Sequence, residues 1–271
     1  MREFPHRAAL VALALAFLPV GSGAAEAPMI ESPTWGEIAG DIVGDAVPAD
    51  GAALLALDTP LRAEDAATVP VVITQTDPGP SITGLKLVID ENPAPLAGSF
   101  AFGPAMHPLK FEARVRVNQY SNLRVIAETA EGSFMTGRFV KASGGCSAPA
   151  TKDPAAALAG MGEMRLKLFA PEPAQVSGQR REAQIMIRHP NYSGLQRDQI
   201  TQLFIPAHFI DRLEVRQGDE MLFTMEGGIS ISENPVFRFD YTDNGAPALT
   251  VHATDTEGNV FDAELPKDPP A

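Results

Sequence analysis

Thiols are nearly absent from this 271-residue chain: Cys146 is its one cysteine, accompanied by a single tryptophan and three tyrosines. One cysteine cannot close an intramolecular disulfide, so the thiol is buried and inert, paired between molecules, or kept available for reaction. Metal-ligand spacing is lacking as well. His107, His189, His208 and His252 show no paired spacing, and Met161 and Met164 add only two thioethers, so no metal site is read. Basic charge is scarce, with 21 Lys and Arg against 34 Asp and Glu. That balance speaks against nucleic acid or an anionic membrane as partner.

Long apolar runs are confined to the start. "MREFPHR" is net positive, "AALVALALAFL" is a short apolar stretch, and "GSGAA" offers small residues for cleavage, which together predict an export signal over residues 1–25. The run is too short to span a bilayer and no second one follows, so no membrane attachment is expected after its removal. No cysteine stands at the cleavage point to take a lipid. The mature chain is expected in the periplasm, where losing Arg2, Arg7 and Glu3 leaves 19 basic and 33 acidic side chains, a net charge of −14.

"PTWGEIAGDIVGDAV" sets Trp35, Ile38, Ile42, Val43 and Ala46 at helical spacing behind Ser32 or Thr34 as cap, and predicts a short amphipathic helix. The period then changes to two. "VPVVIT", "LKLVID", "FEARVRV", "LRVIAETA" and "FMTGRFV" are short runs divided by Pro, Gly, Asn and Asp. In "FEARVRV" Phe111, Ala113, Val115 and Val117 are expected inside, with Glu112, Arg114 and Arg116 on a wet face. A hairpin is expected with Glu131 and Gly132 at its turn. Strands without interleaved helices predict a β-sandwich domain over residues 26–142.

Residues 143–162, "SGGCSAPATKDPAAALAGMG", hold no aromatic side chain and no β-branched one besides Thr151, and predict a flexible linker that carries Cys146. Beyond it the alternation resumes. "EMRLKLF", "EAQIMIRHP", "DRLEVRQGDEMLFTMEG" and the tract from Pro235 to Leu265 predict a second sandwich over 163–271, with His252 on a solvated face.

A thiol on such a segment lacks apolar neighbours to pack against. A cysteine hydrolase would need a histidine held within about 3 Å of the sulfur, which a mobile segment does not provide. What remains is a thiol carried to the active site of another protein. Gly144 and Gly145 strip bulk from the backbone before the sulfur, and the six residues from Val140 reach about 20 Å when extended. Lys141 and Lys152 would favour the thiolate slightly.

At this point a family resemblance is visible. "PTWGEIAGDIVGDAVPADGAALLALDTPLRAEDAATVPVVIT" and "RVNQYSNLRVIAETAEGSFMTGRFVKASGGC" resemble the SoxY subunit of the periplasmic thiosulfate-oxidising carrier. "VSGQRREAQIMIRHPNYSGLQRDQ" and "IPAHFIDRLEVRQGDEMLFT" resemble its SoxZ partner, so the whole is similar to the SoxYZ-like carrier fusions associated with quinoprotein dehydrogenases.

The resemblance implies an all-β chain of two immunoglobulin-like sandwiches, without cofactor or turnover of its own. Cys146 is then the residue that bears sulfur intermediates covalently, with Gly144 and Gly145 as the matching glycines of the arm. His189 and His208 match SoxZ positions and are read as structural or interface residues. Implied partners are c-type cytochromes, Sox-type enzymes or a quinoprotein dehydrogenase. The alternative is a non-covalent adaptor for a quinoprotein alcohol dehydrogenase and its cytochrome, with Cys146 incidental. SoxY bears its cysteine on a free C-terminal tail, whereas here "GGCSAP" runs on into a second domain and must enter a partner as a loop. The two halves are expected to pack through apolar sheet faces as a monomer, and an exposed thiol would allow a disulfide-linked dimer.

Overall fold

The structure, a computed structural model, describes residues 27–149, 158–169 and 179–267. The predicted signal segment 1–25 and residues 150–157 of the predicted linker lie outside them. Ser32 and Pro33 start the helix α1 (Pro33–Val43), in which the Ser32 side chain accepts from the Trp35 N–H. None of its residues is buried. It rides on the sheet through Lys86, which donates to the Ile42 carbonyl, and through Arg124, whose guanidinium lies 4.4 Å from the Trp35 ring centre.

In the first half the period-two pattern builds β1 (Ala49–Asp50), β2 (Leu55–Asp58), β3 (Val69–Gln75), β4 (Gly84–Ile89), β5 (Leu96–Phe102), β6 (Lys110–Val115), β7 (Ser121–Thr129) and β8 (Gly132–Val140). The second half supplies β9 (Met164–Leu168), β10 (Arg180–Ile187), β11 (Ile210–Gln217), β12 (Glu220–Gly227), β13 (Val236–Thr242), β14 (Ala248–Asp255) and β15 (Val260–Pro266). The chain is all-β, with two immunoglobulin-like sandwiches and one short helix among the described residues.

The halves do not meet face to face as expected. They join edge to edge in both layers. β5 pairs antiparallel with β12, Phe102 opposite Phe223, and β6 pairs antiparallel with β13, Phe111 opposite Phe239. One sheet therefore runs β1-β8-β7-β4-β5-β12-β11-β14-β15 and the other β2-β3-β6-β13-β10-β9. The reason lies in the sequence. Each half ends its sheets in open edges with unpaired N–H and C=O groups, and pairing those edges satisfies them while leaving the inner faces to one common core.

Phe100, Phe102 and Phe111 from one half and Phe223, Phe237 and Phe239 from the other cluster across this junction, Phe111 standing 5.1 Å from Phe100 and 5.3 Å from Phe223 between ring centres. Polar groups cross the same line. Arg180 donates to the carbonyls of Ala105, Met106, His107 and Pro108, and Glu182 accepts from Lys110 and Arg238.

Two local expectations are corrected. The β7–β8 hairpin pairs Thr129 with Gly132, so Ala130 and Glu131 form the turn and Gly132 opens β8. Arg116 is not on a wet face. β6 ends at Val115, and Arg116 turns inward beneath the second half, where it is 1% exposed.

Candidate functional site

Cys146 lies where the end of β8 meets the second half. After Val140 the chain crosses to Asn118, whose carbonyl accepts from Gly144 N–H, and to Val117, whose carbonyl accepts from Gly145 N–H. A 3-10 turn then spans Gly145–Ser147. In this seat Cys146 is 0% exposed, which corrects the expectation of a thiol outside any packed interior on a loose arm.

The glycines also serve differently from the predicted arm flexibility. Gly144 sits at φ 81°, in the left-handed region, and a Cβ on Gly145 would fall 2.0 Å from the Ala66 carbonyl oxygen and 2.7 Å from that of Val117. They let the turn dock closely rather than letting it wander.

The surroundings of the thiol are polar and come from both halves. Arg116 donates from Nη1 to the Gly145 carbonyl at 3.3 Å and from Nη2 to the Asn191 carbonyl at 3.2 Å. Asn92 steadies it by donating to the Arg116 carbonyl and to Ser230 Oγ. From the second half, Ser193 donates its hydroxyl to the Cys146 carbonyl, while Gln196 Oε1 accepts from the Ser193 N–H at 2.9 Å.

Burial pushes the Cys146 thiol up to about 11, against a smaller opposing pull from the Arg116 charge. The charge that acts on the thiol is that of Arg116 rather than the expected Lys141, and Lys152 lies outside the described residues. Burial also lowers the Arg116 pKa, with Glu233, Cys146 and Asp65 acting in the other direction. The half-buried carboxyl of Glu233 is itself raised by desolvation, against the Arg116 charge.

A second cluster anchors the loop that closes over Cys146. His189 and His208 both turn Nε2 to one oxygen of Asp255, at 3.3 and 2.7 Å. All three are buried and close enough to be considered for a cation. His189 Nδ1, however, accepts the Asn191 N–H at 3.0 Å, so the ring's proton is on Nε2, pointed at Asp255. A cation at Nε2 would demand an imidazolate there. The donors fit protons, and the cluster reads as a hydrogen-bonded brace, in keeping with the structural role expected for both histidines. Desolvation lowers the His189 pKa, and the donors around Asp255, Asn259 first, hold its carboxyl well below the usual range despite burial. His252 is exposed on the outer face, its Nδ1 2.7 Å from Asp262, as expected.

Sequence reasoning did not find Arg116, Asn191, Ser193 or Gln196. The last three share one local signal: "NYSGLQ", residues 191–196, is a polar turn-rich tract.

Two family models match in tandem. Sulfur oxidation protein SoxY covers residues 39–146, ending on Cys146 itself, and sulphur oxidation protein SoxZ covers residues 169–266. The chain is a SoxYZ-like fusion, a SoxY domain continued into a SoxZ domain. Among solved structures it is similar to the sulfur carrier protein SoxY from Chlorobium limicola f thiosulfatophilum, at 25% identity and a TM-score of 0.34, over 40% of this chain and 94% of that one. No curated protein matches.

Proposed function

We propose that this protein is a periplasmic sulfur-oxidation carrier, without turnover of its own, that bears its cargo covalently on Cys146 and presents it to Sox-type enzymes and c-type cytochromes. The observation that carries this reading is the tandem of SoxY and SoxZ matches whose first member ends on the chain's one thiol, seated at the joint between the two. Attachment of a sulfane group joins its sulfur to Sγ through a new S–S bond. The thiol gives up its proton, and two electrons pass to a partner oxidant.

The enclosed seat is the resting position. With its pKa at about 11, roughly one thiol in ten thousand is ionised at neutral pH. Loading therefore requires the Gly145–Ser147 turn to leave its seat, so that water restores an ordinary thiol.

The same burial favours a second reading, in which the protein is a non-covalent adaptor for a quinoprotein dehydrogenase and Cys146 merely packs. Intact mass of protein taken from its native host, before and after reduction, separates the two. The carrier reading expects added mass on Cys146 that a reductant removes. A bare thiol throughout growth on reduced sulfur compounds, with normal oxidation by a Cys146→Ser strain, selects the adaptor.

A further inference from the structure

Four of the ten large apolar side chains exposed among the described residues fall within one short loop of the SoxZ domain: Leu195, Ile200, Leu203 and Phe204, the last three at 85, 69 and 58% exposure. Soluble surfaces carry such residues singly, and a cluster on one loop marks a contact surface. The loop borders a groove whose other wall is Ser147 and Pro149, the residues just past Cys146.

The loop is also one braced piece. Asp198 Oδ1 accepts from the N–H groups of Ile200 and Thr201 at 3.0 and 2.7 Å. Ile205 N–H donates to the Gln196 carbonyl at 2.9 Å, and the Arg197 guanidinium lies 4.4 Å over the Phe204 ring. Gln196 in turn holds Ser193, the residue that grips the Cys146 carbonyl. Between grip and crest Gly194 makes the turn at φ 85°, and Leu195 N–H donates to Ser193 Oγ at 3.2 Å across it, so grip and crest move together.

We propose that Ile200, Leu203 and Phe204 form the docking crest for the enzyme that loads Cys146, an enzyme that meets it with an uncharged apolar rim around its active-site mouth, and that this contact tilts the loop and frees the cysteine turn. This rests on the carrier reading. Charge selects the occupant: Arg197 and Asp198 cancel at the crest of a chain whose formal charge is −13, so the surface offers apolar contact without the acidic field found elsewhere. Position selects it too. A catalyst reaching Sγ must cover the groove walls, whereas a second copy seated there would only block the sulfur.

The test is an Ile200→Ser, Leu203→Ser double variant expressed in the native host during growth on a reduced sulfur compound. The purified variant should melt within about 2 °C of the parent and alkylate at the parent's rate, because both side chains stand in water. Its fraction of Cys146 carrying an adduct, read by intact mass, should fall at least tenfold. Loading equal to the parent's overturns the docking crest and leaves the carrier reading standing. Light scattering that shows a parent dimer which the variant dissolves, with loading kept, overturns it in favour of a second copy. An unloaded parent sinks both readings.

Discussion

The hydroxyl of Ser193 donates to the carbonyl of Cys146, 47 residues earlier in the chain, and so ties the SoxZ domain to the one thiol of the SoxY domain. This bond is a latch on the cysteine turn. Removing a buried hydrogen bond of this kind costs about 1 kcal/mol, or roughly fivefold in an opening equilibrium. Ser193→Ala should therefore raise the rate of Cys146 alkylation by iodoacetamide about three- to tenfold at neutral pH. An unchanged rate would show that the turn opens without parting from this loop.

Gly145→Ala tests why the glycine is there. If the glycines served an arm that must be limp, alanine would be nearly silent. Instead its methyl would meet the Ala66 carbonyl oxygen at 2.0 Å, so the turn cannot sit down. The expected result is a folded protein whose Cys146 alkylates at least tenfold faster than the parent and whose melting point falls by several degrees.

The alkaline limb of stability begins with the thiol, and the buried Tyr241 hydroxyl, its pKa also raised by desolvation, joins it above its ordinary value of 10.0. The thiol's folded pKa is raised to about 11 from 9.0, so the folded protein keeps a proton that the unfolded chain gives up. The contribution is full below pH 9 and is lost as pH rises through 11, on the order of 2–3 kcal/mol in all. Denaturant titrations from pH 8 to 10 should show the onset of this fall in the parent and not in Cys146→Ala.

Acid acts at the other end of the same loop. The His189 pKa is lowered, so its neutral ring belongs to the folded state. Stability from this group is present above the ordinary histidine pKa of about 6.5 and fades as pH falls below it, because a proton on Nδ1 would face the Asn191 N–H. Cys146 alkylation, corrected for thiolate fraction, should be faster at pH 5 than at pH 7. His189→Gln should flatten that difference.

Phe111→Ala probes the joint. This ring is fully buried between Phe100, Phe102, Phe223 and Phe237, and its loss should cost about 3–5 kcal/mol. The two domains share one core, so calorimetry should show a single transition shifted downward rather than two separated ones.

Much of the fold was legible because alternation is a local signal. Val69, Val71 and Ile73 announce β3 in three steps of two, and Ser32 followed by Pro33 announces α1. β5 was not, since Ala97, Gly98 and Ala101 blunt its alternation, yet it forms half of the joint with β12. At the site, Cys146 and its two glycines stood out by isolation. Its burial did not, because the groups that enclose it, Ala66, Arg116, Val117 and Ser193, come from distant parts of the chain and no apolar neighbour in its own segment hints at them. Arg116 was misassigned for a related reason: strand periodicity stops at Val115, and what covers the next residue is decided by the other domain.

The ladder that links β5 to β12 and β6 to β13 bears on why two domains share one polypeptide. Were they separate molecules, each would display two bare backbone edges whenever dilution parted them, and bare edges recruit strangers as readily as mates. A peptide tether makes reunion a first-order event at an effective concentration in the millimolar range. Stoichiometry is then fixed at synthesis, and the thiol never lacks the loop that shelters it.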